Sequence, residues 1–173
     1  MRVLVTGGVR SGKSRHAESL LTGPVTYLAP GPVQDDADWA ARIAAHRARR
    51  PVDWTTVESH DLVGVLARTD GHVMVDCLGT WLTAVLDERG LWGAPADEIT
   101  DVIGHVAQET ADVLAVRDQG EDTVLVTNEV GLGVVPEHRS GRLFRDLLGL
   151  VNQRVAAACD EVHLVIAGRV IRL

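Results

Sequence analysis

Several features that mark other classes of protein are missing from this 173-residue chain. Its two cysteines, Cys77 and Cys159, are too few for a disulfide framework. No apolar run approaches the roughly 20 residues that a membrane-spanning helix needs, and the N-terminus has no signal-peptide pattern. The net charge of −7 gives no sign of a general binder of nucleic acid or anionic membranes. We therefore expect a cytoplasmic protein with no membrane span and no nucleic-acid partner.

Lysine is almost absent as well. Of the 17 lysine and arginine residues, 16 are arginine, and Lys13 is the single lysine. A compact ammonium group on a flexible stem reaches between two phosphates, where a planar guanidinium fits less well. The position of Lys13 therefore indicates a task that arginine performs poorly.

The composition is that of one ordinary globular domain, with 46% hydrophobic and 24% charged residues. We interpret residues 1–173 as a single domain, because no repeat, linker or low-complexity tract interrupts them. Predicted strands alternate with predicted helices, and several strands are continuous apolar runs, which favours an α/β fold with a mostly parallel sheet and helices on both faces. The strands are expected at 2–5, 25–29, 55–57, 72–76, 123–127, 161–166 and, at the sheet edge, 169–173; the helices at 12–21, 35–50, 97–117 and 140–158; and a loop at 90–95.

The clearest motif is GGVRSGKS at residues 7–14, which fits the phosphate-loop pattern G-x-x-x-x-G-K-[ST]. An apolar strand precedes it and a helical pattern follows it, as that motif requires. Glycine lets the backbone curl so that its N–H groups converge on phosphate oxygens, and the helix that follows directs its positive end at the anion. The expected nucleotide-binding residues are Gly7, Gly8, Val9, Arg10, Ser11, Gly12, Lys13 and Ser14.

A phosphate-loop enzyme also needs an acidic residue near Mg²⁺. Asp76 closes the apolar run HVMVD, and the carboxyl end of a parallel strand faces the ligand crevice. We predict that Ser14 and Asp76 hold Mg²⁺. The alternative is that Asp76 only caps the element that follows it.

The predicted helix 35–50 carries a group of cations. Arg42 and His46 are four residues apart and share a face, with Arg49 and Arg50 further along it. Such cations disfavour the imidazolium, which keeps His46 neutral and nucleophilic, and they offer a site for polyphosphate. Taken alone, the pattern is also that of a solvated helix that happens to contain a histidine.

A second segment, from Thr127 to Gln153, places Arg139, Arg142 and Arg145 at a spacing of three, with Asn152 one heptad beyond Arg145. These residues either line the site or belong to a solvated helix surface, and the sequence leaves their roles open.

Taken together, these segments resemble the bifunctional adenosylcobinamide kinase / adenosylcobinamide-phosphate guanylyltransferase family of cobalamin biosynthesis. The resemblance covers nearly the whole chain. It rests on GGVRSGKSRHAE, VTYLA, RIAAHRARRP, VMVDCLGTWLT and TNEVGLGVVPEHRSGRLFRDLLGLVNQRVA.

The resemblance implies a RecA-like P-loop fold and a homotrimer. It implies that a nucleoside triphosphate, GTP or ATP, phosphorylates the aminopropanol hydroxyl of adenosylcobinamide, with Lys13 acting in that step. GMP then moves from GTP onto the product through a histidine–GMP intermediate, and His46 is the matching histidine. Glu58 and Asp76 match positions associated with nucleotide binding.

Two other functions stay open at this point. One is a P-loop small-molecule kinase in which His46 only binds phosphate, and the other is a nucleotide-dependent switch without a small-molecule acceptor. The remaining histidines lack metal-ligand spacing, so we interpret them as ordinary: His16, His60, His72, His105, His138 and His163.

Overall fold

The computed structural model describes residues 1–31, 50–117 and 120–173. These residues form a seven-stranded sheet with the order β3-β2-β4-β5-β1-β6-β7. Every neighbouring pair is parallel except β6 and β7, which run antiparallel at one edge. The strands are β1 Arg2–Gly7, β2 Val25–Ala29, β3 Thr55–Glu58, β4 His72–Asp76, β5 Thr123–Val126, β6 Glu161–Ile166 and β7 Arg169–Arg172.

Five α-helices lie in the described part of the chain. They are α1 Lys13–Ser19, α2 Leu62–Arg68, α3 Leu78–Glu88, α4 Ala96–Val116 and α5 Arg139–Ala157. A short 3₁₀ turn at Leu91–Gly93 lies within the stretch expected to be a loop. None of these helices combines the length and apolar character that crossing a membrane requires.

The helices cover both faces of the sheet, which confirms the predicted fold class. Strand side chains alternate between the faces. Val3 and Val5 pack with Ala17 of α1 on one face, whereas Leu4 packs with Trp81 of α3 and other residues of α2 to α5 on the opposite face. The continuous apolar character of the central strands therefore follows from burial on both sides.

All seven predicted strands are present, and the predicted helices at 12–21, 97–117 and 140–158 match α1, α4 and α5 to within two residues. Helices α2 and α3 were not predicted. Helix α2 has only seven residues, too few for a clear helical period. Helix α3 is buried on most of its surface, and its glycine, threonine and tryptophan residues blur the apolar stripe. The predicted helix 35–50 lies outside the described residues, apart from Arg50.

Candidate nucleotide-binding site at the carboxyl edge of the sheet

The phosphate loop connects the end of β1 to the start of α1, as the sequence predicts. Its first glycine has no room for a side chain, since a Cβ on Gly7 would lie 2.4 Å from the Val165 carbonyl oxygen and 2.7 Å from Ser11 Oγ. The last one, Gly12, precedes α1 with φ 99°, a left-handed conformation that glycine adopts without strain. Both glycines are therefore fixed by the path of the backbone.

Lys13 lies in the first turn of α1 and is nearly buried, with 8% of its surface exposed. Its Nζ donates a hydrogen bond to the Gly8 carbonyl oxygen over 3.1 Å, so the ammonium group lies across the loop. The hydroxyl of Ser11 is buried and has no hydrogen-bond partner among the described residues. Buried polar groups are nearly always paired, so an unpaired hydroxyl in this loop is consistent with a ligand that accepts from it.

The turn between β6 and β7 supports the loop from the other side. The Gly168 N–H donates to the Ser11 carbonyl oxygen over 2.8 Å, and the Gly168 Cα lies 3.5 Å from the position that a Cβ on Gly12 would occupy. This contact was not predicted from the sequence. Both Ala167 and Gly168 have positive φ, and a glycine between two short apolar strands is the signal that could have indicated a tight turn.

Asp76 closes β4, two strands away from β1 in the sheet. The hydroxyl of Tyr27 on the neighbouring strand β2 donates to Asp76 Oδ2 over 2.9 Å. Burial, and then the negative charge of Asp76, raise the pKa of Tyr27 well above its ordinary value. Tyr27 therefore stays protonated at neutral pH and acts as a fixed donor to this carboxylate.

Arg50 lies beside this pair, and it is the one member of the predicted cation group within the described residues. Its guanidinium carbon is 3.3 Å from the centre of the Tyr27 ring, and its Nη1 donates to Thr56 Oγ1 over 2.8 Å. A cation over an aromatic face is attracted by the ring quadrupole. In this structure Arg50 thus packs against β2 and β3.

Glu58 ends β3, the edge strand, four strand steps from β1. Neighbouring strands are about 4.8 Å apart, which puts Glu58 roughly 19 Å from β1. The structure does not bring Glu58 together with the phosphate loop. The other predicted residues of this group, Arg42, His46 and Arg49, lie outside the described residues.

The three arginines at the start of α5 hold backbone carbonyl groups of nearby loops. The side chains of Arg139 and Arg142 are exposed and that of Arg145 is half-buried, and each of the three donates to two carbonyl oxygens. Two of them bind the loop between β5 and α5, and the third binds the segment around the 3₁₀ turn. The pairs are Arg139 with Trp92 and Ala94, Arg142 with Pro136 and Glu137, and Arg145 with Gly131 and Gly133.

Asn152, further along α5, holds the end of β5. Its Oδ1 accepts a hydrogen bond from Thr127 Oγ1 over 2.6 Å, and its Nδ2 donates to the Asn128 carbonyl oxygen over 3.3 Å. The role that the sequence left open for Asn152 is thus a contact with the strand end next to the phosphate loop.

Two of the histidines interpreted as ordinary are linked in a chain with a carboxylate. His16 Nε2 lies 2.8 Å from His163 Nδ1, and His163 Nε2 lies 2.7 Å from Glu161 Oε2. Burial first, and then His163 and Arg172, lower the pKa of His16. The chain ties α1 to β6, which helps to fix the helix that follows the phosphate loop.

Comparison with protein families gives a match over almost the entire chain. A model of the family described as cobinamide kinase / cobinamide phosphate guanyltransferase matches residues 3–173. The bifunctional adenosylcobalamin biosynthesis protein CobU of Escherichia coli (strain K12) is 42% identical over 97% of each chain. The protein of the same name from Salmonella typhimurium (strain LT2) is 41% identical, again over 97% of each chain.

Comparison with solved structures supports the fold alone. A prototypical ATPase from the type III secretion system of pathogenic bacteria aligns with a TM-score of 0.55 at 10% identity. The alignment covers 94% of this chain and 50% of that longer chain.

Proposed function

The chain belongs to the cobinamide kinase / cobinamide phosphate guanyltransferase family, and from this we propose that it carries out both reactions. In the first, a nucleoside triphosphate phosphorylates the aminopropanol hydroxyl of adenosylcobinamide. In the second, GMP from GTP is joined to the new phosphate, giving adenosylcobinamide-GDP. The observation that carries the kinase assignment is the phosphate loop, with nearly buried Lys13 lying across it.

In the kinase step, the loop N–H groups and Lys13 bind the β- and γ-phosphates of ATP or GTP and offset the charge that develops on the transferred phosphoryl group. Lys13 Nζ now donates to the Gly8 carbonyl oxygen, and a movement of its flexible side chain would let it donate to a phosphate oxygen instead. The acceptor hydroxyl attacks the γ-phosphorus, the bond to the β-phosphate oxygen breaks, and the hydroxyl proton leaves to solvent or to a nearby base.

The residues present fit Mg²⁺, which prefers oxygen ligands and is usually held by one or two carboxylates together with substrate phosphates. We propose that Ser14 Oγ and the Asp76 carboxylate hold it. The Tyr27 hydroxyl on Asp76 Oδ2 supports this role, because it fixes the carboxylate at the strand end. When bound, Mg²⁺ supplies positive charge to the phosphate oxygens.

In the guanylyl step, we propose that His46 is the nucleophile. A ring nitrogen forms a bond to the α-phosphorus of GTP and pyrophosphate leaves. A phosphate oxygen of adenosylcobinamide phosphate then attacks the same phosphorus and frees His46. Arg42 and Arg49 support this role through their spacing from His46, because neighbouring cations favour the neutral, nucleophilic ring and bind the triphosphate.

The test uses GTP labelled at either the α- or the γ-phosphate. We expect Lys13→Ala to abolish transfer of the γ-label to adenosylcobinamide. We expect His46→Ala to lose all α-label on the protein while phosphorylation of adenosylcobinamide continues. A histidine phosphoramidate is acid-labile and base-stable, which identifies the bond. Normal phosphorylation by Lys13→Ala, or undiminished α-label on His46→Ala, would contradict the respective assignment.

We also propose that the single domain works as a homotrimer, as the family resemblance implies. Apolar side chains that a subunit contact would bury are exposed on β7 and at the end of β6. Ile171 of β7 is 48% exposed and Ile166, the last residue of β6, is 52% exposed. Light scattering in solution measures the assembly, and a monomeric protein would contradict it.

A further inference from the structure

Asn128 lies between the two parts of the nucleotide site already described. In the sheet, Val126 of β5 is level with Val5 of β1 on one side and with Asp76 of β4 on the other. The backbone contact continues past the strand, since the Glu129 N–H donates to the Gly7 carbonyl oxygen over 3.2 Å. Asn128, two residues beyond Val126, therefore lies beside the first glycine of the phosphate loop.

The Asn128 side chain extends toward the start of α3, the helix that follows Asp76 in the chain. Its Nδ2 lies 3.6 Å from the position that a Cβ on Gly79 would occupy, at the start of α3. The side chain is half-buried, and the hydrogen bonds of the described residues include none to its amide; its only bond is through the backbone carbonyl. A half-buried amide without a partner at the edge of a phosphate-binding loop is available to a ligand.

The backbone of Asn128 is fixed from outside the sheet. Asn152 on α5 uses both ends of its amide, accepting from Thr127 Oγ1 over 2.6 Å and donating to the Asn128 carbonyl oxygen over 3.3 Å. Thr127 is fully buried, and its hydroxyl would lack an acceptor without Asn152, so this hydrogen bond also stabilises the fold. These two hydrogen bonds hold the backbone at Thr127 and Asn128, and so fix the direction in which the Asn128 side chain leaves the strand end.

We propose that the Asn128 side-chain amide donates a hydrogen bond to the γ-phosphoryl group during the kinase step, and that Asn152 is a positioning residue for it. The inference rests on the proposed kinase function. The transition state spreads negative charge over three phosphoryl oxygens, and a neutral N–H donor between the phosphate loop and Asp76 stabilises that charge without repelling the cations already there. A donor that acts only on developing charge changes kcat more than KM.

The test compares Asn128→Ala and Asn128→Asp with a matched control, Gln153→Glu, which adds the same charge at an exposed amide of α5. We expect kcat for phosphorylation of adenosylcobinamide to fall about 100-fold in Asn128→Ala, the loss typical for one donor to a developing oxyanion. We expect a larger fall in Asn128→Asp, whose carboxylate repels the phosphoryl group. The KM for nucleotide should change by less than about threefold in Asn128→Ala, and Gln153→Glu should match the wild type.

Asn152→Asp tests the positioning role. It keeps the acceptor for Thr127 but loses the donor to the Asn128 carbonyl, so we expect kcat to fall by roughly tenfold while nucleotide affinity is retained. Adding Asn152→Asp to Asn128→Ala should then lower kcat little further, because the side chain being positioned is already absent.

A second readout needs no acceptor. Aluminium fluoride with a nucleoside diphosphate mimics the transferred phosphoryl group, and we expect Asn128→Ala to bind it about 100-fold more weakly than the wild type, with the diphosphate alone bound equally. Weaker binding of the mimic by Asn128→Ala, together with a wild-type protein that does not phosphorylate adenosylcobinamide, would contradict the proposed function and leave the Asn128 contact supported. Wild-type kinase activity with unchanged kcat and mimic affinity in Asn128→Ala would overturn the inference. So would higher activity in Asn128→Asp, which would indicate a proton acceptor.

Discussion

Replacing Tyr27 with phenylalanine removes one hydroxyl group and leaves the buried ring in place. That hydroxyl donates to Asp76 Oδ2 over 2.9 Å, and Tyr27 is only 2% exposed. A hydrogen bond to a charged group contributes about 1.5–3 kcal/mol, so Tyr27→Phe should lower the free energy of unfolding by that amount. For a chain of this length, the midpoint of thermal unfolding should fall by roughly 3–12 °C.

The same residue predicts how stability changes with alkaline pH. The pKa of Tyr27 is raised in the folded protein, first by burial and then by the charge of Asp76. In the unfolded chain it is about 10. Between these two values the unfolded chain loses a proton that the folded chain keeps, so stability present below pH 10 is lost as the pH rises. The advantage of the wild type over Tyr27→Phe should shrink by about 1.4 kcal/mol per pH unit above pH 10.

The assay is direct because Tyr27 is the only tyrosine in the chain. The absorbance of tyrosinate reports its ionisation alone, and urea unfolding followed by tryptophan fluorescence gives the free energy at each pH. We expect tyrosinate to form only as the protein unfolds. Ionisation near pH 10 in protein that is still folded, or equal unfolding free energies for the wild type and Tyr27→Phe at neutral pH, would refute the reasoning.

Two further perturbations test other parts of the site. Arg145→Gln removes the guanidinium that donates to two carbonyl groups of the loop at 129–138, so limited proteolysis should cut this loop faster. The thermal midpoint should hardly change, because both acceptors belong to exposed glycines of a surface loop and not to the core; equal cleavage rates would contradict the expectation. The pKa of His16 is lowered in the folded protein, so its contribution to stability is present above pH 6.5, the value in the unfolded chain, and is lost as the pH falls below it. His16→Asn should therefore remove this part of the acid dependence of the unfolding free energy. An identical dependence in both proteins would contradict the expectation.

The sequence was informative where the signal is local. The phosphate loop has its glycines, Lys13 and Ser14 within eight consecutive residues, and the central strands are apolar because both of their faces are buried. Strand order is different, because it depends on contacts between distant parts of the chain. The roles of Tyr27 and Asn128 follow from the positions of β2 and β5 beside β4, which no spacing within the chain records.

The arginines illustrate a second limit. Their spacing correctly predicted neighbouring positions on one helix, but the partners of Arg139, Arg142 and Arg145 are backbone carbonyl groups of loops. Every residue type has a carbonyl, so a sequence pattern cannot single out these acceptors. Spacing alone thus left both site lining and a solvated surface open, whereas the structure gives these side chains a loop-binding role.

The order β4-β5-β1 puts Asp76, Asn128 and the phosphate loop in consecutive positions along one edge of the sheet. Two of these groups are held by a partner from a different element: Asp76 by Tyr27 on β2, and Asn128 by Asn152 on α5. None of the hydrogen bonds in the described part of the chain joins these two partners, which approach from different sides, so each can be changed while the other remains in place. If Asp76 acts through the metal and Asn128 through the phosphoryl group, the effects of Tyr27→Phe and Asn152→Asp on kcat should multiply. A single shared network would instead make the second change nearly silent after the first.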